Sequence, residues 1–140
     1  MTAVGTLTER MTAAVTRFNE GDLDGYMSTY APTVVTHGYP EGVTDFDSLR
    51  AFYRQLLDAC DDLHVEVLRT VEQSDVLAAQ FVLRGRHTGD LLGAPGTGRE
   101  LEVHGATFMR FEDGTVAERW QHVDDLGMMQ QLGLLPHPDA

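Results

Sequence analysis

The sequence has very little cysteine and no lysine. Cys60 is its single cysteine, which excludes an internal disulfide bond and a zinc site built from several thiolates. Cys60 lies among apolar residues in LRAFYRQLLDAC, which favours a buried packing role over that of a nucleophile. All ten basic residues are arginine, so no lysine amine is available to form a Schiff base with a substrate.

Long hydrophobic runs and excess positive charge are also missing. No apolar stretch approaches the roughly 20 residues that cross a bilayer, and the start, MTAVGTLTERMTAAV, does not have the pattern of a secretory signal. We therefore expect a soluble, cytoplasmic protein with no membrane partner. The formal net charge of -12 repels phosphate backbones, so nucleic acid is not expected as a partner either.

Length and composition indicate a single domain that spans residues 1–140 and buries its own core, because 42% of the residues are hydrophobic. Helical spacing dominates its first sixty residues. Three helices are predicted there: one from a Thr6–Glu9 capping box, a short one within residues 23–30, and one from an Asp45 cap to Cys60. TVVTHGYPEGV, between the second and third, reads as a short extended piece that leads into a loop.

Alternating apolar residues predict four long strands after the third helix. These are LHVEVLRTV, VLAAQFVLRGRHT, ELEVHGATFMRF and TVAERWQHV. Turn residues at 73–75 and 112–114 connect them as two hairpins, which the Gly/Pro loop GDLLGAPGTGR separates, and DDLGMMQQLGLLP predicts a short terminal helix. The order of elements indicates an α+β domain, with helices on one face of an antiparallel sheet and a pocket between the layers.

The end of the last predicted strand carries the first candidate for chemistry. Strand alternation places Trp120, His122 and Asp124 on one face. If that face points inward, a carboxylate lies beside an aromatic ring and an imidazole, which suits proton transfer. Asp124 also stands directly before the terminal helix, where aspartate is a favoured N-cap. Capping and chemistry both remain open for Asp124, and one residue can do both.

Histidines supply the other candidates. His87 shares strand parity with Phe81 and should end an inward-facing apolar row, where it is either a group that contacts substrate or a hydrogen-bonded core residue. His37 and His104 are weaker candidates at strand starts, and the parity of His64 predicts that it faces solvent. We expect no metal site, because the chain has no HxH, HExxH or His/Cys cluster. The glycines of GAPGTGR lead into a strand, which excludes a dinucleotide fingerprint.

Two motifs resemble those of the SnoaL-like polyketide cyclase family. One is HTG followed by G-x-P-x-T-G-R, and the other is D-G-x-V-x-E-x-W-x-x-x-D-x-x-G-x-x-x-Q-L-G. Together they cover most of the C-terminal half, and FNEGDLDGYMSTYAPTVVTHGYPEG is similar to the helical opening of the family. The resemblance implies an α+β cone with a strongly curved sheet, the fold also used by ketosteroid isomerase and scytalone dehydratase.

The resemblance further implies an enzyme of secondary metabolite biosynthesis that closes a polyketide ring by intramolecular aldol condensation, with neither metal nor cofactor. In the family an aspartate on the last strand is the general acid/base, a role that falls on Asp124, with His87 and His122 as its catalytic neighbours. The hydrophobic substrate would then contact His37, His104, Trp120, Phe81, Tyr30 and Tyr53. A homodimer or a higher homo-oligomer is also expected, in which Met109, Phe111 and Val116 pack across the exposed face of the sheet.

Other functions remain open on the same fold. A hydrolase, an isomerase or a dehydratase could use Asp124 with His87 or His122 to position water, and a non-catalytic protein could hold a small molecule in the same pocket. An enzyme should present a buried carboxylate to its largest pocket, whereas in a binding protein Asp124 could be wholly occupied as a helix cap.

Overall fold

The computed structural model describes residues 6–136. Residues 1–5, the start of the segment in which no secretory signal is predicted, lie outside this range. The described helices are α1 (Leu7–Asn19), α2 (Leu23–Met27), α3 (Phe46–Ala59) and α4 (Asp125–Gln131). The described strands are β1 (Tyr30–His37), β2 (Cys60–Gln73), β3 (Val76–His87), β4 (Glu100–Glu112) and β5 (Thr115–Val123). Within residues 6–136 no helix has the length and hydrophobicity to cross a membrane.

The helices begin where the sequence predicts. At α1 the Thr6 hydroxyl accepts a hydrogen bond from the backbone N–H of Glu9 at 3.1 Å, and the Glu9 carboxylate accepts one from the Thr6 N–H at 3.2 Å. At α3 the Asp45 carboxylate accepts from the backbone N–H of Ser48 at 2.9 Å. These side chains satisfy N–H groups that have no partner within the helix, so the caps fix where α1 and α3 start.

The sheet has five described strands in the order β1-β5-β4-β3-β2. The two predicted hairpins, β2–β3 and β4–β5, are confirmed as antiparallel pairs. The segment predicted as a short extended piece is β1, which pairs in parallel with β5. The pairing of this segment with the sheet is not predicted. In this position β1 forms hydrogen bonds with backbone groups that β5 would otherwise expose at an edge.

The helices pack on one face of the sheet, α1 against β2 and β3, and α3 against β1 and β2. Pairing register shifts within β2 and between β4 and β5. Such irregularities increase the local twist of a strand, so the sheet bends around the helices. The sheet is not closed, because its end strands, β1 and β2, are not neighbours in the strand order. The α+β architecture expected from the order of elements is confirmed.

A bulge at the start of β5 decides which of its side chains face the helices. Phe111 of β4 pairs with Val116, but the preceding Arg110 pairs with Glu118, so Ala117 is an extra residue. The extra residue moves the alternation of β5 by one position. Val116 and Arg119 are both buried as a result, and the side chains that follow Arg119 at odd numbers face the helices.

The prediction that Met109, Phe111 and Val116 cover a dimer interface is wrong. All three are buried within the protomer, because the odd-numbered residues of β4 face the helices, and so does Val116, which precedes the bulge in β5. The opposite face of the sheet exposes other apolar side chains, and Val35 and Phe108 are each 46% exposed there.

Cys60 is buried, as its apolar surroundings predict, with 6% of its surface exposed. Burial, followed by the neighbouring charge of Asp61, raises the pKa of its thiol to about 11. Because the thiolate is the nucleophile, we expect iodoacetamide at pH 8 to modify folded Cys60 far more slowly than the unfolded chain. Mass spectrometry of the protein alkylated with and without denaturant measures this, and equal rates would contradict the packing role.

Candidate active site

An apolar cavity lies between the helices and the inner face of the sheet. Its walls include Met11 and Phe18 of α1, Phe52 and Leu56 of α3, and Val65, Phe81, Val103 and Met109 of the sheet. Leu91 and Leu92, from the Gly/Pro loop between β3 and β4, also line it. The apolar walls suit a hydrophobic small molecule.

Four tyrosines line this cavity, and their hydroxyl groups form two hydrogen-bonded pairs. The hydroxyls of Tyr26 and Tyr30 are 2.6 Å apart, and those of Tyr39 and Tyr53 are 2.7 Å apart. Burial raises the pKa of Tyr30, Tyr39 and Tyr53 well above that of an exposed tyrosine. These phenols are therefore neutral at physiological pH and can donate hydrogen bonds.

Arg119 is the charged residue at the centre of the tyrosines, and it is only 5% exposed. Its Nη1 donates to the hydroxyls of Tyr26, at 2.9 Å, and Tyr30. Its Nε donates to Thr107 Oγ1 at 2.9 Å, and its Nη2 to Gln121 Oε1 at 2.8 Å. The guanidinium carbon also lies 5.8 Å from the centre of the Tyr39 ring, within the range of a cation–π contact.

The charge of Arg119 has no carboxylate partner within residues 6–136. All the hydrogen-bond acceptors around it are neutral hydroxyl or amide oxygens. Burial, the largest single influence on the pKa of Arg119, lowers it, but the four surrounding tyrosines together raise it by more, so the pKa is well above that of an exposed arginine. The cavity therefore holds a positive charge that is solvated by hydrogen bonds and not neutralised.

Trp120, His122 and Asp124 do not line the cavity, so the prediction that they share one inward face is wrong. Trp120 and His122 do share a face of β5, but the bulge at Ala117 turns it away from the helices, and Asp124 lies beyond the end of the strand. Trp120 stacks on His37, with ring centres 5.5 Å apart, and His122 is exposed. The inward positions of β5 after the bulge are Arg119, Gln121 and Val123.

Asp124 is exposed and caps α4, which confirms the capping interpretation. Its Oδ1 accepts a hydrogen bond from the backbone N–H of Gly127 at 2.9 Å. A Cβ atom on Gly127 would lie 2.3 Å from Asp124 Oδ2, so a larger residue there would displace the Asp124 carboxylate from this position. Asp22 and Gly25 form the same D-x-x-G arrangement at the start of α2, with a bond of 2.9 Å. Asp125, the next residue, does line the cavity.

His87 is fully buried on the inner face of β3 but is not part of the cavity wall. Its Nδ1 accepts from the backbone N–H of Thr97 at 3.3 Å and lies 3.1 Å from the Thr97 hydroxyl. This network assigns the ring proton to Nε2, which is buried without a hydrogen-bond partner among the described residues. The hydrogen bonds between His87 and Thr97 therefore hold the loop that carries Leu91 and Leu92 against the end of β3.

The remaining predicted site residues divide into two groups. Tyr30, Tyr53 and Phe81 line the cavity, as expected. His37 and His104 do not, since His37 bonds to Glu118 Oε2 at 2.7 Å and His104 lies 3.3 Å from Glu102 Oε2 on the exposed face. Within residues 6–136, no three histidine, cysteine or acidic side chains are grouped so that they could hold a metal ion.

Sequence reasoning missed Arg119, Gln121, Thr107, Tyr26 and Tyr39 as candidate site residues. Tyr26 falls within the short helix predicted at residues 23–30. In a strand that alternates without a bulge, Arg119 lies on the face opposite to Trp120 and His122. A sequence signal for Arg119 does exist, because Val116 and Val123 cannot both face inward on a strand that alternates without interruption.

Comparisons with known proteins agree with this architecture. The chain is 32% identical to a nogalonic acid methyl ester cyclase of Streptomyces nogalater over 130 residues, which are 89% of this chain and 95% of that one. It is 33% identical over 73 residues, 52% of this chain and 50% of the other, to an aklanonic acid methyl ester cyclase of Streptomyces peucetius.

Solved structures show the same fold. AclR of Streptomyces galilaeus, described as a proposed hydroxylase, superimposes with a TM-score of 0.83 at 26% identity over 94% of this chain and 100% of its own. IdmH of Streptomyces antibioticus, a proposed polyketide cyclase, gives a TM-score of 0.76 at 27% identity over 90% and 97%. The family profile for SnoaL-like polyketide cyclases matches residues 7–132, so this chain belongs to that family of enzymes.

Proposed function

We propose that the enzyme closes a ring in a hydrophobic polyketide ester by intramolecular aldol condensation. One observation carries this proposal: a cationic group and several hydroxyl donors face an otherwise apolar cavity. Such a cavity can hold a carbonyl-rich chain folded and stabilise an oxyanion within it. The relatives named for the methyl esters of polyketide acids support this substrate class and a role in secondary metabolism.

The reaction consists of two proton transfers around one carbon–carbon bond. A base removes a proton from the carbon next to a carbonyl, which gives an enolate. The enolate carbon attacks a second carbonyl carbon of the same molecule, and the resulting alkoxide is protonated. Arg119 and the hydroxyl of Tyr30 can donate to the oxygen on which negative charge develops. No electron leaves or enters the substrate.

In this proposal, the base that removes the proton from carbon is one of the two carboxylates where β5 meets α4. Asp124 is the candidate that the family resemblance supplies, although its carboxylate caps α4 and is exposed. Asp125 is the second candidate, because it lines the cavity. The catalytic role predicted for His122 has no support from its exposed position, and His87 is proposed as a positioning residue for the loop at the cavity.

The mass of the product tests the reaction class. The protein is incubated with a nogalonic or aklanonic acid methyl ester, and the products are separated and weighed by mass spectrometry. The ring closure proposed here ends with the protonated alkoxide and loses no water, so it leaves the molecular formula unchanged. A dehydratase removes water, a hydrolase adds it, and a hydroxylase like the one proposed for AclR adds an oxygen atom. We expect a new product of unchanged mass with one ring more.

A control reaction without protein corrects for spontaneous ring closure, which 1,3-dicarbonyl compounds can undergo. A product whose mass differs from that of the ester would contradict the cyclase and identify the alternative class. Tight binding of the ester with no product at all would leave a binding protein as the function.

We also propose that a second copy of the chain covers the outer patch, defined as Val35, Phe108 and Trp120 on the exposed face of the sheet. Phe108 and Trp120 are paired across β4 and β5, and Phe108 is 46% exposed. Arg110 and Glu118, of opposite charge, lie beside the patch. A two-fold contact places the same surface of two copies face to face. Because Arg110 and Glu118 have opposite charges, the arginine of one copy can pair with the glutamate of the other.

Sedimentation velocity at micromolar concentrations tests this dimer. We expect Phe108→Arg to convert the dimer into a monomer, because it puts a charge in an apolar contact. Val71→Arg is the matched control, since Val71 is 65% exposed on β2 and lies outside the outer patch. A wild-type monomer at high micromolar concentration, or a dimer that Phe108→Arg leaves intact, would contradict the proposal. The cytoplasmic location stays a prediction of the sequence.

A further inference from the structure

The hydrogen-bond donors around Arg119 are not all used. A guanidinium has five N–H groups, and four of those on Arg119 already donate, to Thr107, Tyr26, Tyr30 and Gln121. One N–H on Nη2 is therefore free of the bonds formed within residues 6–136. This free donor belongs to a residue of the cavity wall.

Each pair of tyrosine hydroxyls adds one more unused donor. Two hydroxyls that share a hydrogen bond use one of their two protons for it, which leaves the second proton for another acceptor. The Tyr26–Tyr30 and Tyr39–Tyr53 pairs therefore hold two O–H donors between them. We call Arg119 and these four tyrosines the Arg119 cluster.

The Arg119 cluster carries a net positive charge in the cavity. Other charged residues of the cavity wall are Asp125, which is exposed where β5 meets α4, and Arg10, whose Nη1 donates to the carbonyl of Gly114 at 3.3 Å. A buried cation without an acidic partner is costly, and an anionic ligand with several oxygens would offset that cost.

We propose that the Arg119 cluster makes the cavity selective for 1,3-dicarbonyl compounds and binds them as their enolates. This inference rests on the proposed aldol reaction, which requires an enolate. The negative charge of such an enolate is spread over two oxygens, which matches one N–H and two O–H donors better than a single carbonyl does. A carboxylate has similar oxygens, but the relatives act on esters, in which that charge is masked.

The test uses 1-phenylbutane-1,3-dione, whose enolate absorbs at a longer wavelength than its neutral form. Its absorbance is titrated against pH, free in solution and with saturating protein. We expect the ionisation midpoint of the bound diketone to fall by about 1–3 pH units, because a cation within about 4–6 Å favours the charged form by that much. In Arg119→Met the midpoint should return to the free value or rise above it, since an apolar cavity disfavours the anion.

Two variants serve as comparisons. Arg84→Met removes an arginine that lies outside the cavity wall, and we expect it to keep the lowered midpoint, because Arg84 pairs with Glu66 and Glu102 at the surface. The double variant Tyr39→Phe/Tyr53→Phe removes both hydroxyls of one pair, and with them one unused O–H donor, but keeps the rings, so the midpoint should fall less than in the wild type. This double variant also keeps the inference testable if Arg119→Met does not fold.

An unchanged midpoint, or no binding of the diketone, would overturn the inference. So would benzoate binding that is tighter than diketone binding and lost in Arg119→Met, since that result would assign the cluster to carboxylates. A lowered midpoint without ring closure of a polyketide ester would refute the proposed reaction but not the enolate site. Ring closure with an unchanged midpoint would refute the enolate site but not the reaction.

Discussion

Replacing Asp124 and Asp125 together by asparagine is expected to lower the turnover number by about 10²–10⁴-fold, the usual contribution of general acid/base catalysis. An amide has nearly the shape of a carboxylate and still caps α4, since asparagine and aspartate are comparable N-caps. It cannot, however, accept a proton from carbon. The loss should therefore appear in turnover, measured with a polyketide methyl ester, and not in the thermal unfolding midpoint.

The single variants assign the role to one carboxylate. Loss of turnover in Asp124→Asn alone would support the family resemblance, and loss in Asp125→Asn alone would support the residue on the cavity wall. Asp22→Asn is the matched control, because Asp22 caps α2 through Gly25 in the same D-x-x-G arrangement and lies outside the cavity wall. Full turnover in the double variant would remove both carboxylates from the mechanism.

The order and ends of the elements were predictable because local signals fix them. Capping residues mark the starts of α1 and α3, and short turns at 73–75 and 112–114 join strands whose apolar residues alternate. The parallel pairing of β1 with β5 was not predictable in this way. It joins segments about eighty residues apart, and no local pattern records such a contact.

The prediction of which β5 side chains face the helices was wrong, because one inserted residue reverses the alternation. Alternation from Val116 places Trp120 and His122 inward, but Ala117 is extra in the ladder, so Arg119 and Gln121 face inward instead. The two D-x-x-G segments were a missed signal for Asp124. The first, at Asp22–Gly25, is a helix start away from the cavity, which indicates that the second also has a structural function.

The tyrosines of the Arg119 cluster come from α2, β1, the loop before α3, and α3 itself. Each one fits an ordinary apolar stripe or a loop when it is read alone. Their arrangement around Arg119, with two hydroxyls bonded to the guanidinium and the Tyr39 ring 5.8 Å from it, exists only after the helices pack on the sheet. Phe81, Tyr30 and Tyr53, which are expected to contact the substrate, do line the cavity, whereas the candidate histidines lie elsewhere.

Arg119→Met is expected to lower turnover by about 10²–10³-fold, the usual cost of removing one donor to a developing oxyanion, while the protein becomes no less stable. Methionine fills most of the space of the arginine side chain and needs no hydrogen bonds. It also removes a buried cation that has no acidic partner, and replacing buried charges with apolar side chains is often neutral or stabilising by about 1–4 kcal/mol. Urea denaturation and turnover assays measure the two effects.

The partners of Arg119 can tolerate its loss. The Tyr26 and Tyr30 hydroxyls still bond to each other, and the Thr107 hydroxyl still donates to the carbonyl of Trp120 at 2.9 Å. Arg84→Met is the control for a general effect of losing an arginine, because Arg84 pairs with Glu66 and Glu102 at the surface and should leave turnover unchanged. If Arg119→Met lost several kcal/mol of unfolding free energy and kept its turnover when folded, Arg119 would be a structural residue. Lower turnover with equal or greater stability would mean that the cation is kept for catalysis at the expense of stability.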